Sequence, residues 1–294
     1  MPRHVLVPID GSDHAAAGLE YSLQSFPDAT ITALYVVDPS RDHTTGVGSE
    51  TDPETRAKSR GERVLENATD RGDDHGRTVR TELRTGTPHT EILETASESD
   101  VDHIVMGSHG RSPITGPFLG HVSETVVQRA PVSTTVVPEG TTALENRDLP
   151  GNVLVPVDGS EQAEAALRYA LETFPGATHT AFYALEVPFD RSREEVEGTY
   201  LEAILDEHER QGEEILQSAV AVADEYDAEL GTASASGKPS REIIAHAETG
   251  DYDQIVMGSH GRSLAARLFT GSVAERVAQR SPLTVTLVRG GRNV

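Results

Sequence analysis

The chain contains itself twice. Residues 5 to 12 read VLVPIDGS and residues 153 to 160 read VLVPVDGS, and the nine residues from Ile104 to Ser112 return unchanged as Ile255 to Ser263. Phe26-Pro27-Asp28-Ala29-Thr30 likewise returns as Phe174-Pro175-Gly176-Ala177-Thr178. The offset drifts only from 148 to 151, so the second copy carries a net insertion of three residues. Solenoid repeats have periods of roughly 20 to 50 residues, so two long copies mean a duplicated domain. The stretch from Pro138 to Asn152 is rich in turn formers and lacks an apolar period. It separates a first domain, 1–138, from a second, 152–294, through a linker at 139–151.

Within each copy, short β-branched runs alternate with helical patterns. In the first copy the expected strands are His4 to Ile9, Thr30 to Val37, Arg77 to Arg84, His103 to Met106 and a last one ending at Val137. Helices are expected over Ala15 to Phe26, from a capping Asp52-Pro53 to about Thr69, over Pro88 to Ser97 and around Val122 to Gln128. Strands of the second copy fall near Val153 to Val157, Thr178 to Leu185, Glu229 to Ala235, Gln254 to Met257 and Leu283 to Val288. Strict alternation predicts a parallel sheet buried on both faces and covered by helices. Each copy is therefore expected to be a doubly wound, five-stranded α/β domain of the flavodoxin-like kind. Such sheets bind ligands outside the carboxyl ends of their strands, where the strand order reverses, so the loops after strands one and four are the places for chemistry.

Composition narrows the chemistry. The 294 residues include no Cys, which removes thiolate nucleophiles, disulfides and thiolate metal sites together. No apolar run approaches the length of a membrane span and the first residues lack a signal-peptide pattern, so a cytoplasmic protein is expected. Forty-eight acidic side chains face 25 basic ones, a formal charge of −23. That balance offers no basic footprint for nucleic acid. Only Lys58 and Lys238 are lysines. So acidic and Lys-poor a surface is expected of a salt-accumulating cytoplasm, where molar salt shortens the Debye length to ~3 Å and screens self-repulsion.

After strand one stand Pro8-Ile9-Asp10-Gly11-Ser12 and Pro156-Val157-Asp158-Gly159-Ser160. Two roles stay open for Asp10 and Asp158: accepting a sugar hydroxyl or reaching a phosphate-borne metal, or capping the next helix. After strand four, both copies space glycines as Gly-x2-Gly-x9-Gly: Gly107, Gly110, Gly120 and Gly258, Gly261, Gly271. Glycine lets N–H groups converge on phosphate oxygens, and the third glycine opens a helix whose N-terminus favours an anion. Arg111 and Arg262 either pair with phosphate or are solvated loop cations. Ser108-His109 and Ser259-His260 make a poor catalytic pair, since adjacent side chains in a loop are badly placed as nucleophile and base. Gly237-Lys238-Pro239-Ser240 lacks the spacing of a Walker loop and reads as a turn into a helix. No HExxH occurs among the twelve His, and no metal site is expected.

The run Gly-Ser-His-Gly-Arg, the Gly-x2-Gly-x9-Gly-Ser pattern and the opening Pro-x-Asp-Gly-Ser resemble the universal stress protein family in its tandem form. That resemblance implies a sheet order of 3-2-1-4-5 and ATP or AMP across the carboxyl edge, with any Mg²⁺ carried by the phosphates. It implies a second-copy site of Pro156, Asp158, Ala184, Met257, Gly258, Gly261, Arg262, Gly271, Ser272 and Val273. The first-copy counterparts are Pro8, Asp10, Val36, Met106, Gly107, Gly110, Arg111, Gly120, His121 and Val122. His121 stands where the pattern has Ser or Thr, and Pro113 and Pro117 remove two N–H donors, so the first copy is expected to bind more weakly or to prefer fewer phosphates.

The resemblance further implies an intramolecular pseudo-dimer of the two copies, which a homo-oligomer can extend. It fits a nucleotide-dependent stress regulator without catalytic residues. The alternatives are a slow ATP hydrolase or phosphoryl-transfer enzyme, and a scaffold with one or both sites empty. Together with the acidity, it predicts that ATP affinity, measured by calorimetry, rises from dilute to molar KCl with the fold intact. A monotonic fall contradicts this.

Overall fold

The computed structural model describes residues 1–40, 53–109, 119–138, 150–186, 193–259 and 270–290. The chain divides into two compact units, Met1–Leu149 and Pro150–Val294. The first runs β1 (His4–Pro8), α1 (Asp13–Ser25), β2 (Thr30–Val37), α2 (Pro53–Asp74), β3 (Val79–Thr85), α3 (Pro88–Glu98), β4 (His103–Gly107), α4 (His121–Arg129) and β5 (Ser133–Val137). The second runs β6 (Asn152–Pro156), α5 (Glu161–Thr173), β7 (Thr178–Leu185), α6 (Arg193–Val196), α7 (Tyr200–Asp224), β8 (Leu230–Ser236), α8 (Pro239–Thr249), β9 (Gln254–Gly258), α9 (Ser272–Arg280) and β10 (Thr284–Val288).

All pairings within each unit are parallel. The first unit's strands are ordered β3-β2-β1-β4-β5 and the second's β8-β7-β6-β9-β10, which is the 3-2-1-4-5 order in both. The order reverses between β1 and β4 and between β6 and β9. Their carboxyl ends, beside the β1–α1 and β4–α4 loops in the first unit, are the edge at which doubly wound sheets in general take up ligands. In the first unit, Leu6, Leu34, Ile104 and Met106 from the sheet pack with Ile92 and Ala96 of α3 and Val126 of α4.

Three expectations need correction. The strands are not all buried on both faces: in β3 only Val79 is buried and Leu83 is exposed, and β8 is half-buried to exposed along its whole length. Arg80, Glu82 and Arg84 in β3 suit water, and β8 has small residues such as Gly231, Ala233 and Ala235. Helix α2 runs five residues past Thr69 to Asp74, and it closes at Gly76, with φ +66°, where the Arg77 N–H donates back to Gly72 O at 2.8 Å. The second unit also has a short extra helix, α6. Gly61 abuts the Tyr35 ring as Gly212 abuts that of Tyr183; the offset is 148 between the tyrosines and 151 between the glycines, so the three-residue insertion lies in the stretch that holds α6. The capping Asp52 and residues 139–149 of the linker lie outside the described residues.

One buried pair differs tellingly between the copies. His103 is fully buried, with Nε2 2.8 Å from Thr135 Oγ1. In the second unit Gln254, equally buried, donates from Nε2 to Thr286 Oγ1 at 2.8 Å. Burial pushes the His103 imidazole down to about 3, far below the ordinary value near 6.5. The unfolded chain therefore takes up a proton that the folded chain refuses. The stability His103 contributes is fully present above pH ~6.5 and is lost as pH falls toward 3, at up to about 1.4 kcal/mol per pH unit. His103→Gln copies the second unit's solution. Urea denaturation of the full chain at pH 7.5 and 5 is expected to show a loss on acidification about 2 kcal/mol smaller in H103Q than in the parent; equal losses contradict the assignment.

Candidate functional site

The β1–α1 loop is built by three residues in turn. Asp10 Oδ1 accepts the Ser12 N–H at 3.0 Å, Gly11 takes φ +79°, and Ser12 Oγ accepts the Ala15 N–H at 3.2 Å to cap α1. The second unit repeats this with Asp158 and Ser160 at 3.0 Å, Gly159 at φ +76°, and Ser160 Oγ accepting from Ala163 at 3.2 Å. The helix cap is thus the serine, and the aspartate holds the turn that presents it. A side chain at Gly11 or Gly159 would be strained whatever space it found, so the left-handed glycine conformation belongs to this loop.

The loop after β4 begins and closes on backbone hydrogen bonds. Ser108 N–H donates to Val137 O at 2.9 Å, and Gly120 N–H donates to Ser108 O at 2.9 Å. In the second unit Ser259 donates to Val288 at 2.9 Å and Gly271 to Ser259 at 2.7 Å. Gly110, Arg111, Pro113, Pro117, His260, Gly261 and Arg262 lie between these anchors and outside the described residues. Gly120 and Gly271 are N-caps with ordinary φ of −62° and −67° and no side-chain cap. The N–H of Gly120 is engaged at the loop base, which leaves the first N–H groups of α4, at His121 and Val122, as the donors an anion can cap. Ser272 and Val273 hold the same place in α9.

Gly107 and Gly258 serve packing. A Cβ on Gly107 would lie 2.6 Å from the backbone carbonyl of His14 in α1, and one on Gly258 would lie 2.9 Å from that of Gln162 in α5. The missing side chain lets the first turn of the helix press onto the end of the strand. Ser123 Oγ donates to Gly107 O at 2.9 Å and ties the start of α4 to the same point.

In the first unit these parts enclose a cavity of about 690 Å³ at the carboxyl edge. Pro8, Asp10, Val36, Met106, Gly107, Gly120, His121 and Val122 all line it, so every expected first-copy residue that is described meets there. Its apolar wall is Ile9, Leu34, Ile92 and Leu119, and its polar wall adds Asp38, Arg60 and Ser123. Volume and mixed lining are those of a small-molecule site. In the second unit Pro156 ends β6, Ala184 lies near the end of β7, and Met257 and Gly258 end β9, next to the helix opened by Gly271. Arg60 was not anticipated from sequence; its signal was the neighbouring Gly61, which recurs as Gly212.

The serine–histidine geometry also departs from expectation. Ser108 Oγ lies 3.1 Å from His109 Nδ1, because the chain bends where β4 ends and both side chains turn to one side. His109 lines the cavity, its ring centroid 5.3 Å from that of His14 with the planes tilted by 58°. Lys238 is the N-cap of α8 with Pro239 in its first turn, as expected for a turn into a helix. Among the described residues no group of three or more His, Asp or Glu is arranged to hold a metal, and no helix is long and apolar enough to cross a membrane. Gly107→Ala should cost about 1–3 kcal/mol of stability through overpacking, with a smaller loss for Gly258→Ala. Unchanged urea midpoints would show that the glycines serve only ligand approach.

Known proteins resemble this chain in sequence and in fold. The model of the universal stress protein family matches residues 1–138 and 151–289. A universal stress protein of Mycolicibacterium smegmatis is 25% identical over 296 residues, covering 97% of this chain and 96% of that protein. One from Methanocaldococcus jannaschii is 30% identical over 141 residues, covering 47% of this chain and 81% of that protein. Among solved structures, a universal stress protein from Archaeoglobus fulgidus superposes with a TM-score of 0.70 at 22% identity, over 99% of this chain and 97% of that one, a likeness of fold. The chain belongs to the universal stress protein family, with one copy of the family's domain matched in each half.

Proposed function

We propose that each unit binds an adenine nucleotide, ATP or AMP, at the carboxyl edge of its sheet, and that occupancy governs what the protein does as a regulator or scaffold in a stress response. The observation that carries this is the cavity of about 690 Å³ in the first unit, which joins Asp10, Val36, Gly107 and the uncapped N-terminus of α4 on one surface. Its apolar wall suits a purine, Asp10 suits a ribose hydroxyl, and the α4 N–H groups suit phosphate. Any Mg²⁺ arrives on the phosphates. The second unit repeats the Asp-Gly-Ser turn and the hydrogen bonds at the base of the loop after β9, and is assigned the same ligand class.

A second reading, slow ATP hydrolysis or phosphoryl transfer in the first unit, draws on one observation, the 3.1 Å approach of Ser108 Oγ to His109 Nδ1 at the cavity wall. Calorimetry in molar KCl is expected to give two equivalents of adenine nucleotide per chain, with Asp10→Ala and Asp158→Ala each weakening one. ADP release should not exceed the buffer blank. Turnover that disappears in Ser108→Ala favours the enzyme, and no heat with either nucleotide overturns the binding proposal.

A further inference from the structure

The two units form an internal control, since the same fold carries different charges at matched positions. Gly61 and Gly212 make the same contact with a tyrosine of the second strand in their units. The residues beside them are therefore equivalent: Arg60 matches Gln211 and Arg63 matches Glu214. Arg60 lines the candidate cavity and also a second hollow of about 450 Å³, which it shares with Gly11, Arg63 and Glu66. The corresponding hollow of the second unit, about 420 Å³ beside Gly159 and Ser160, is lined by Gln211, Glu214 and Glu164 and by no cation. Glu164 there is paired with Arg168 at 2.9 Å, which leaves the hollow without net positive charge.

The difference between the copies extends to further residues of the first cavity's wall. His121 lines it and lies edge-on to His89 at 5.7 Å, where the second unit has Ser272 and Ser240. His14 beside Gly107 is replaced by Gln162 beside Gly258. Glu66, matched by Gln217, and Glu20, matched by Arg168, change in the other sense, and Asp10 and Asp38 line the first cavity beside Arg60. In a chain of net charge −23, the two arginines still leave this edge of the first copy less acidic than its counterpart.

We propose that the units are specialised by charge: the first selects the more highly phosphorylated adenine nucleotide, with Arg60 and Arg63 as the selecting residues, and the second does not discriminate. This rests on the nucleotide reading given above, and it reverses the expectation drawn from His121, Pro113 and Pro117. ATP carries about two more negative charges than AMP. Each extra charge near an arginine in a partly hydrated site contributes on the order of 1 kcal/mol, so a selectivity of about tenfold or more follows.

The test is photoaffinity labelling of the intact chain with 8-azido-ATP and 8-azido-AMP, without magnesium, with labelled peptides assigned to each unit by mass spectrometry. The first unit is expected to half-saturate with ATP at about one tenth of the AMP concentration, and the second at similar concentrations of both. Arg60→Gln with Arg63→Glu should raise the first unit's ATP half-saturation about tenfold and that for AMP less than threefold. The reciprocal Gln211→Arg with Glu214→Arg should confer ATP preference on the second unit, a gain that misfolding cannot mimic. Saturable labelling with the same ATP-to-AMP ratio in both units overturns the specialisation alone. Failure of either probe to saturate any unit overturns the nucleotide reading with it.

Discussion

The functional edge depends on a contact in which a side chain is missing. At Gly107 and Gly258 the strand beside the reversal point ends against the first helical turn that follows the neighbouring strand, with the His14 and Gln162 carbonyls where a Cβ would stand. That approach brings the Asp-Gly-Ser turn after the first strand level with the loop after the fourth. Because Ser12 and Ser160 cap the same helices, the aspartate turn, the helix start and the strand end form one rigid corner. The cavity is what remains between this corner and the uncapped helix opened by the third glycine. Glycine at these positions thus acts first on packing and only through packing on a ligand.

Much of this was legible in the sequence, since duplication supplies what a single copy lacks. Strands β2 and β7 have the ends expected from their β-branched runs, and the described first-copy residues of the pattern line one cavity because parallel order forces the loops after strands one and four together. What stayed hidden depends on three-dimensional neighbours. That β3 and β8 are half-buried to exposed while β5 and β10 are buried throughout depends on what packs on their faces, which alternation alone does not reveal. Arg60 lies on a long helix whose polar positions look alike until Gly61 fixes their phase against Tyr35. The Ser108–His109 approach depends on a bend that adjacency in sequence does not specify.

Local electrostatics and global charge point in opposite directions in this molecule. A surplus of 23 negative charges repels a polyanion at long range, so any polyanion must be held by local groups. In the proposed reading these are Arg60 and Arg63 in the first unit, and the backbone and the serine at the start of α9 in the second. Duplicated domains are free to diverge in this way, because the fold depends on the glycine corner while the charges sit on its rim.

The most direct test of the central claim is amide hydrogen exchange of the full chain with and without saturating ATP in molar KCl. Protection is expected at the amides of 107–109 and 120–122, and at their counterparts 258–259 and 271–273, with little change in β3, β8 or the turn at Gly237. Absence of protection at these strand ends and helix starts, or protection centred on the Gly237 turn, would contradict the account.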